Sequence, residues 1–403
     1  MSANLEEIFS SHLSKFENLS KGITITSTSY DFETEFNAIL KEFGQSVFQG
    51  IVGKVPKSKN HQTTILTSMG DIIFPKSHSL ASAPRGFKIS PFMQEHLCRV
   101  GTKMTFEEAS EEVTCMMGVA VNAKQIERLC HHYGELLEQI DWREAYNDSI
   151  QLNLPLKNKI TYAMIDGSMI LTRQKDESWK EVKLCRTFLN DDRVENISKN
   201  RNYIGRSTYV AHLGNHNDFF DKVLDILPTK IPLVFICDGA KWIWNWVEQY
   251  YPTATQILDF FHCKEHLFAF AKIYFLKDPN QIAIWVDTCI EYLMNQNVEG
   301  LFNSIIQLPF TNKQTELEKN KLHNYLNNNK QRINYGLFKT QGLLFGSGAI
   351  ESANRNIIQK RMKLSGQRWT ISGAQQMLNL RVCYENKQSM KLRNLITDYQ
   401  NVA

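Results

Sequence analysis

The chain has 403 residues, with 46 lysines and arginines against 42 aspartates and glutamates, a formal net charge of +4. Two or three domains are expected, and the charge balance permits nucleic-acid binding without requiring it. A content of 42% hydrophobic and 22% charged residues excludes a mainly disordered or fibrous chain.

The eight cysteines stand singly, with no C-x-x-C pair, as in a reducing compartment and unlike a disulfide framework or a cysteine zinc site. The opening MSANLEEIFSSHL has neither a basic n-region nor an apolar h-region, so no signal peptide is expected. The longest apolar stretches are interrupted by Asp238, Lys241 or Lys272 and fall short of the roughly 18 residues of a membrane helix. A cytoplasmic protein without a membrane partner is expected.

Residues 1–100 carry little pattern. TTILTSMGDIIF reads as a hairpin turning at Gly70-Asp71, and Ser77 to Pro84 as a loop. Next, Thr105 and Glu108 form a capping-box pair opening a helix with Phe106, Ala109, Val113 and Met116 on one face. Gly118 ends it. Asn122 and Gln125 open a second helix with Ile126, Leu129, Cys130 and Tyr133 as its apolar face. The pair fits a helix-turn-helix over 101–150, from which Lys124, Gln125, Arg128 and His131 project towards a groove. An αα-hairpin that only packs or dimerises is the alternative, and the acidic row Glu107, Glu108, Glu111, Glu112 speaks against the first helix lying on phosphate.

After Leu154-Pro155 three β-prone runs follow one another: KITYAMIDGSMIL, WKEVKLCRTF and STYVAHLG. A helix (NDFFDKVLDIL), a buried-type strand (PLVFICDGA), a helix (KWIWNWVEQYY), a strand (TATQILDFFH) and a further helix complete the order. This describes a mixed sheet whose later strands are joined by helical crossovers. The Trp242, Trp244, Trp246 cluster reads as core and interdomain packing, with a wedge into DNA as the weaker alternative. Residues 276–340 show only helical periodicity, and AIESANRNIIQKRMK is a late helix.

Asp166 in MIDGS and Asp238 in FICDGA each end an apolar run ahead of a glycine. Alone, Asp-Gly is a turn dipeptide. Together, on strands that the crossover order sets side by side, two carboxylates repel each other, which a fold keeps mainly to bind a divalent cation. Glu351, entered through Gly346-Ser347-Gly348, is the third candidate. Residues 351–403 hold nine basic against three acidic residues, a net +6, so Arg355, Lys360, Arg361 and Arg368 are candidate phosphate contacts and Trp369 a base-stacking ring.

The blocks MIDGSMILTR, ICDGAKWIWN, ILDFFHCKEHL, GSGAIESANRNIIQKRMKLSGQRW and GAQQMLNLR closely resemble insertion-sequence transposases of the ISKra type, within the Mutator-like group. The likeness runs from about Thr105 to Val382, with a fainter trace in LTSMGDIIFPKSH. It implies an α/β fold: a ribonuclease-H-like mixed sheet interrupted by an all-helical insertion and preceded by a mainly helical DNA-binding region. The implied plan is 1–100 of unclear role, 101–150 helix-turn-helix, 151–275 and 341–403 catalytic, and 276–340 inserted. Asp166, Asp238 and Glu351 would hold two Mg²⁺ (or Mn²⁺) ions for cleavage at transposon ends and strand transfer. DNA, as terminal inverted repeats and target, would be the partner of a homodimer or larger assembly, cytoplasmic and associated with the nucleoid.

Asp259 and His262 match a D-x-x-H element that lies near the active site in Mutator-like enzymes. The paired cysteines that many relatives carry in the region corresponding to residues 50–85 are missing here. Two other readings stand beside this one. The chain could be a non-catalytic DNA-binding protein derived from a transposase. Alternatively, His262-Cys-Lys-Glu265-His266 also spells H-x-x-E-H, a zinc-protease pattern.

Overall fold

In the computed structural model the described residues are 2–22, 28–81, 87–138, 159–175, 178–196, 201–227 and 232–398. They divide into two units: Met1–Gln139 with Asn379–Ala403, and Ile140–Leu378.

The first unit is mainly helical. Helices α1 (Ser2–Gly22) and α2 (Ser29–Val52) pack through Phe9–Phe43 and Phe16–Phe36 ring contacts at 5.0 and 5.3 Å. A Thr28–Asp31 capping box starts α2. Strands β1 (Gln62–Thr67) and β2 (Gly70–Pro75) form the expected hairpin. Its turn is Ser68-Met69, two places earlier than Gly70-Asp71. The Thr67 hydroxyl takes the Met69 N–H at 3.1 Å and donates to the Gly70 carbonyl at 2.8 Å, closing the turn locally.

Helices α3 (Pro91–Gly101), α4 (Phe106–Met117) and α5 (Ala123–Glu138) follow. The Thr105–Glu108 capping box and the left-handed Gly118 (φ 58°) bound α4 as its sequence requires. Ala109 and Val113 are buried, but Met116, expected on the same face, is 75% exposed in the last turn. All four expected apolar residues of α5 are buried.

The C-terminal residues return to this unit. Asn379 donates to the Gly134 carbonyl, Arg381 to that of Thr102, and Arg393 makes a two-pronged pair with Glu95 at 2.9 Å. The boundary therefore falls at 378/379, inside helix α14 (Ile371–Glu385), whereas the sequence pattern groups 341–403 together. Helix α15 (Ser389–Asp398) ends the described chain.

The second unit is built on five strands: β3 (Thr161–Leu171), β4 (Trp179–Leu189), β7 (Thr208–Leu213), β8 (Leu233–Cys237) and β9 (Thr255–Leu258). Their order is β7-β4-β3-β8-β9, antiparallel across β7-β4-β3 and parallel across β3-β8-β9. This is an α/β protein with a mixed sheet, and β3 and β8 are neighbours as expected. A two-stranded ribbon, β5 (Arg193–Asn196) with β6 (Arg201–Ile204), interrupts the run before β7. The alternating polar residues there hide it in sequence.

Strand alternation sorts the sheet's two faces. Ala163, Ile165, Phe235 and Cys237 join a core with α6 (His216–Ile226) and α7 (Lys241–Tyr250), where Trp244 and Trp246 are buried. Trp246 stacks on Phe220 at 4.2 Å, so the tryptophan cluster is packing. The intervening positions, Asp166 among them, point to the opposite face. There Tyr162 accepts from the Leu344 N–H at 3.2 Å.

Helices α8 (Phe260–Tyr274), α9 (Pro279–Met294), α10 (Val298–Ile306), α11 (Lys313–Asn328) and α12 (Tyr335–Thr340) fill the stretch before Glu351. No strand occurs between 276 and 340, as the helical spacing predicts. Among the described residues no helix is long and apolar enough to cross a membrane.

Candidate active site

The crevice opens where neighbouring strands end at different heights. Strand β3 stays paired with β4 past Asp166, which faces Leu184, as far as Leu171 and Trp179, but its last partner on β8 is Cys237, opposite Ile165. Asp166 and Asp238 thus stand one step past the end of the parallel ladder, on the same face. Asp238 accepts the Ala240 N–H at 3.0 Å. Its glycine is more than a turn residue, because a Cβ at Gly239 would lie 2.4 Å from the Tyr325 ring.

Asp259 caps α8 by taking the His262 N–H at 2.9 Å, and it takes the Ser347 N–H at 2.7 Å. Ser347 in turn donates its hydroxyl to Glu351 at 2.6 Å. Glu351 rides on α13 (Gly348–Ala353). The first turn of α13 is held to the sheet by Arg186, whose Nη1 donates to the Ala349 carbonyl at 2.6 Å. Asn354, a turn further on, donates to Asp166.

Asp166, Asp238, Asp259, His262, Glu265 and Glu351 line one cavity of about 180 Å³. No lysine or arginine is among its lining residues. Burial pushes the Asp166 carboxyl up to about 6, with repulsion from Asp238 and then Glu351 added, against the Gly167 N–H and His262. Burial also raises Asp259 in spite of its N–H donors.

Among the described residues no three His, Cys, Asp or Glu side chains close around a single metal position. Glu351 is turned to Ser347, and Asp166 is held by Asn354 and Gly167. The donor chemistry nevertheless fits a hard divalent cation: several carboxylates line the cavity, with Lys363 the lysine that feels Asp166, and next to Asp166 the buried Asn354 Oδ1 has no hydrogen-bond partner.

His262 lines the cavity, whereas His266 stacks on Tyr325 at 3.9 Å; the two imidazole centroids are 4.9 Å apart at 81°. Burial and the neighbouring His262 lower the His266 imidazole.

The expected DNA contacts fall into three groups. Arg355, Lys360 and Arg368 are exposed. Arg361 and Trp369 are not: Arg361 is fully buried, its guanidinium 5.1 Å from the Trp369 ring centre, and Trp369 is 6% exposed and donates to the Met362 carbonyl. This correction has a simple cause. A planar cation on an aromatic face packs as a core unit, so neither side chain lines a groove here. Lys124 and Arg128 are exposed on α5, in the other unit, where Lys124 pairs with Glu127 at 2.5 Å.

Sequence reasoning missed Asn354, Arg186, Ser347 and Tyr325. Only Ser347 carried a local signal, as part of the Gly-Ser-Gly entry to the Glu351 helix.

The fold and cavity define an α/β protein with a carboxylate-lined crevice at the strand ends. Among proteins of known sequence, the chain is similar to one from Streptococcus gallolyticus described as "UPF0236 protein in vanSb 3'region". The two are 23% identical over 315 residues, 74% of this chain and 64% of that protein. The match thus spans less than two thirds of the relative's length. No family model matches the chain.

Proposed function

We propose that this chain is a DDE transposase of an insertion sequence, with a ribonuclease-H-like catalytic domain split by the helices of residues 276–340. The observation that carries the reading is the convergence of Asp166, Asp238 and Glu351 on one cavity, although 72 and 113 residues separate them along the chain. Three antiparallel strands followed by two parallel ones, with acidic residues on the first and after the fourth, support it.

Two Mg²⁺ or Mn²⁺ ions, held by these three carboxylates, would supply the charge stabilisation that in-line displacement at a DNA phosphodiester needs. The remaining parts are the protein's own. Asp259 anchors the loop that delivers Glu351, and His262 faces the same cavity. Exposed Arg355, Lys360 and Arg368 contact the phosphate backbone, while Lys124 and Arg128 bind element ends. A homodimer or larger assembly brings two ends together.

Incubating the full chain with its own flanking DNA and Mg²⁺ tests this. Nicks at the element ends are expected. Intact DNA under conditions where the ends are bound would leave a DNA-binding protein without this chemistry.

A further inference from the structure

The helix that carries Glu351 changes its winding just beyond it. Gly348–Ala353 is α-helical, Asn354–Gln359 forms a wider π-turn, and Lys360–Met362 resumes the α-helix. Single wide turns of this kind recur at functional sites.

Asn354 opens that turn and is 4% exposed. Its Nδ2 donates to Asp166 Oδ2, across 188 residues of sequence. Its Oδ1 is buried without a hydrogen-bond partner. A buried amide oxygen left unpaired costs about 1–3 kcal/mol, so its place beside Asp166 calls for a function.

Asp166 is held at both oxygens, by the Gly167 N–H at 2.8 Å and by Asn354. Each carboxylate oxygen has a second lone pair, so two anchors fix the plane of the group and still leave acceptor capacity for the cavity. Asn354 also lies three residues after Glu351 on one continuous helical run. One hydrogen bond therefore ties the strand of the first carboxylate to the helix of the third.

We infer that Asn354 is a positioning residue for divalent-cation binding, orienting the Asp166 carboxylate and fixing its spacing to Glu351. The inference rests on the cation-dependent reading of the cavity given above.

The test is Mn²⁺ binding by the full chain without DNA, followed by electron paramagnetic resonance. Asn354→Leu keeps the branched outline, with somewhat more bulk, but neither polar group, and Asn354→Ala removes the amide altogether. Each should weaken Mn²⁺ affinity by about 10–100-fold, as removal of the outer partners of metal ligands does. A role in packing alone would spare the leucine variant. Leucine binding within about twofold of the natural chain, while Asp166→Asn loses Mn²⁺, would overturn the inference and leave the cavity's reading intact. Mn²⁺ binding unchanged in both Asp166→Asn and Glu351→Gln would instead sink the cation reading, and the role of Asn354 with it. Should the Asn354 variants fail to fold, the side-chain amide resonance of Asn354 in the natural chain serves in their place. It must move when Mg²⁺ is added, and a resonance that stays fixed overturns the inference.

Discussion

Asp259 accepts the backbone N–H of Ser347 at 2.7 Å, across 88 residues. The bond clips the start of α8 to the loop through which Glu351 enters. The same carboxylate caps α8, so two backbone donors depend on one side chain. Asp259→Ala leaves both unsatisfied and should lower unfolding free energy by about 1–3 kcal/mol. Asp259→Asn keeps an acceptor oxygen and should lose less. Urea melts of the two variants check the order, and an Asp259→Ala protein as stable as the natural chain would mean that neither bond contributes.

The raised Asp166 carboxyl sets a pH dependence. Its folded value of about 6 lies above the ordinary 3.8, so the folded state holds this proton more tightly than the unfolded chain does. The stability it contributes is present below about pH 4 and is lost as pH rises to about 6, a difference on the order of 3 kcal/mol. In chelator, Asp166→Asn should therefore be more stable than the natural chain at pH 7.5 and show no such advantage near pH 4. Mg²⁺ should stabilise the natural chain and leave the variant unmoved. Denaturant midpoints at the two pH values decide it.

The amide variants Asp166→Asn, Asp238→Asn and Glu351→Gln should each abolish Mg²⁺-dependent cleavage while end binding stays near its natural strength. Because groups acting as one unit are not additive, double variants should be little worse than singles. Cleavage by the Glu351→Gln protein would refute the assignment.

On α5, replacing Lys124 and Arg128 by alanine should weaken binding to element ends. It should also reduce the salt slope by about 1 for each phosphate that is no longer neutralised. Lys124 must give up its exposed pair with Glu127 to reach phosphate, at small expense, since such pairs contribute about 0–1 kcal/mol. Binding unchanged across a salt series would make α4–α5 a packing element.

What the sequence revealed were features with a local cause. The Thr105–Glu108 box needs only two residues three apart at the start of a helix, and the strand order follows from runs of apolar residues and their crossovers. The two aspartates could be found because each follows an apolar run and precedes a glycine, although β3 continues past Asp166 to Leu171 whereas β8 ends just before Asp238. Contacts between distant segments left no such trace. Asn354 is one amide in a polar helical run, and its partner lies 188 residues away. Charge also misled: Arg361 reads as surface in any tally of basic residues, yet it is sealed against Trp369. Arg381 and Arg393 are likewise bound within the N-terminal unit.

Tyr325 lies against Gly239, its hydroxyl buried without a partner, on α11, the third helix of the inserted segment. The phenol ring is thus a dry wall beside the Asp238 turn. Stripping the segment away would let water in and raise the local dielectric, and the force between the carboxylates would fall in inverse proportion. A shortened chain would hold its three acids with less mutual repulsion. By the same law, it would also pull less strongly on any cation.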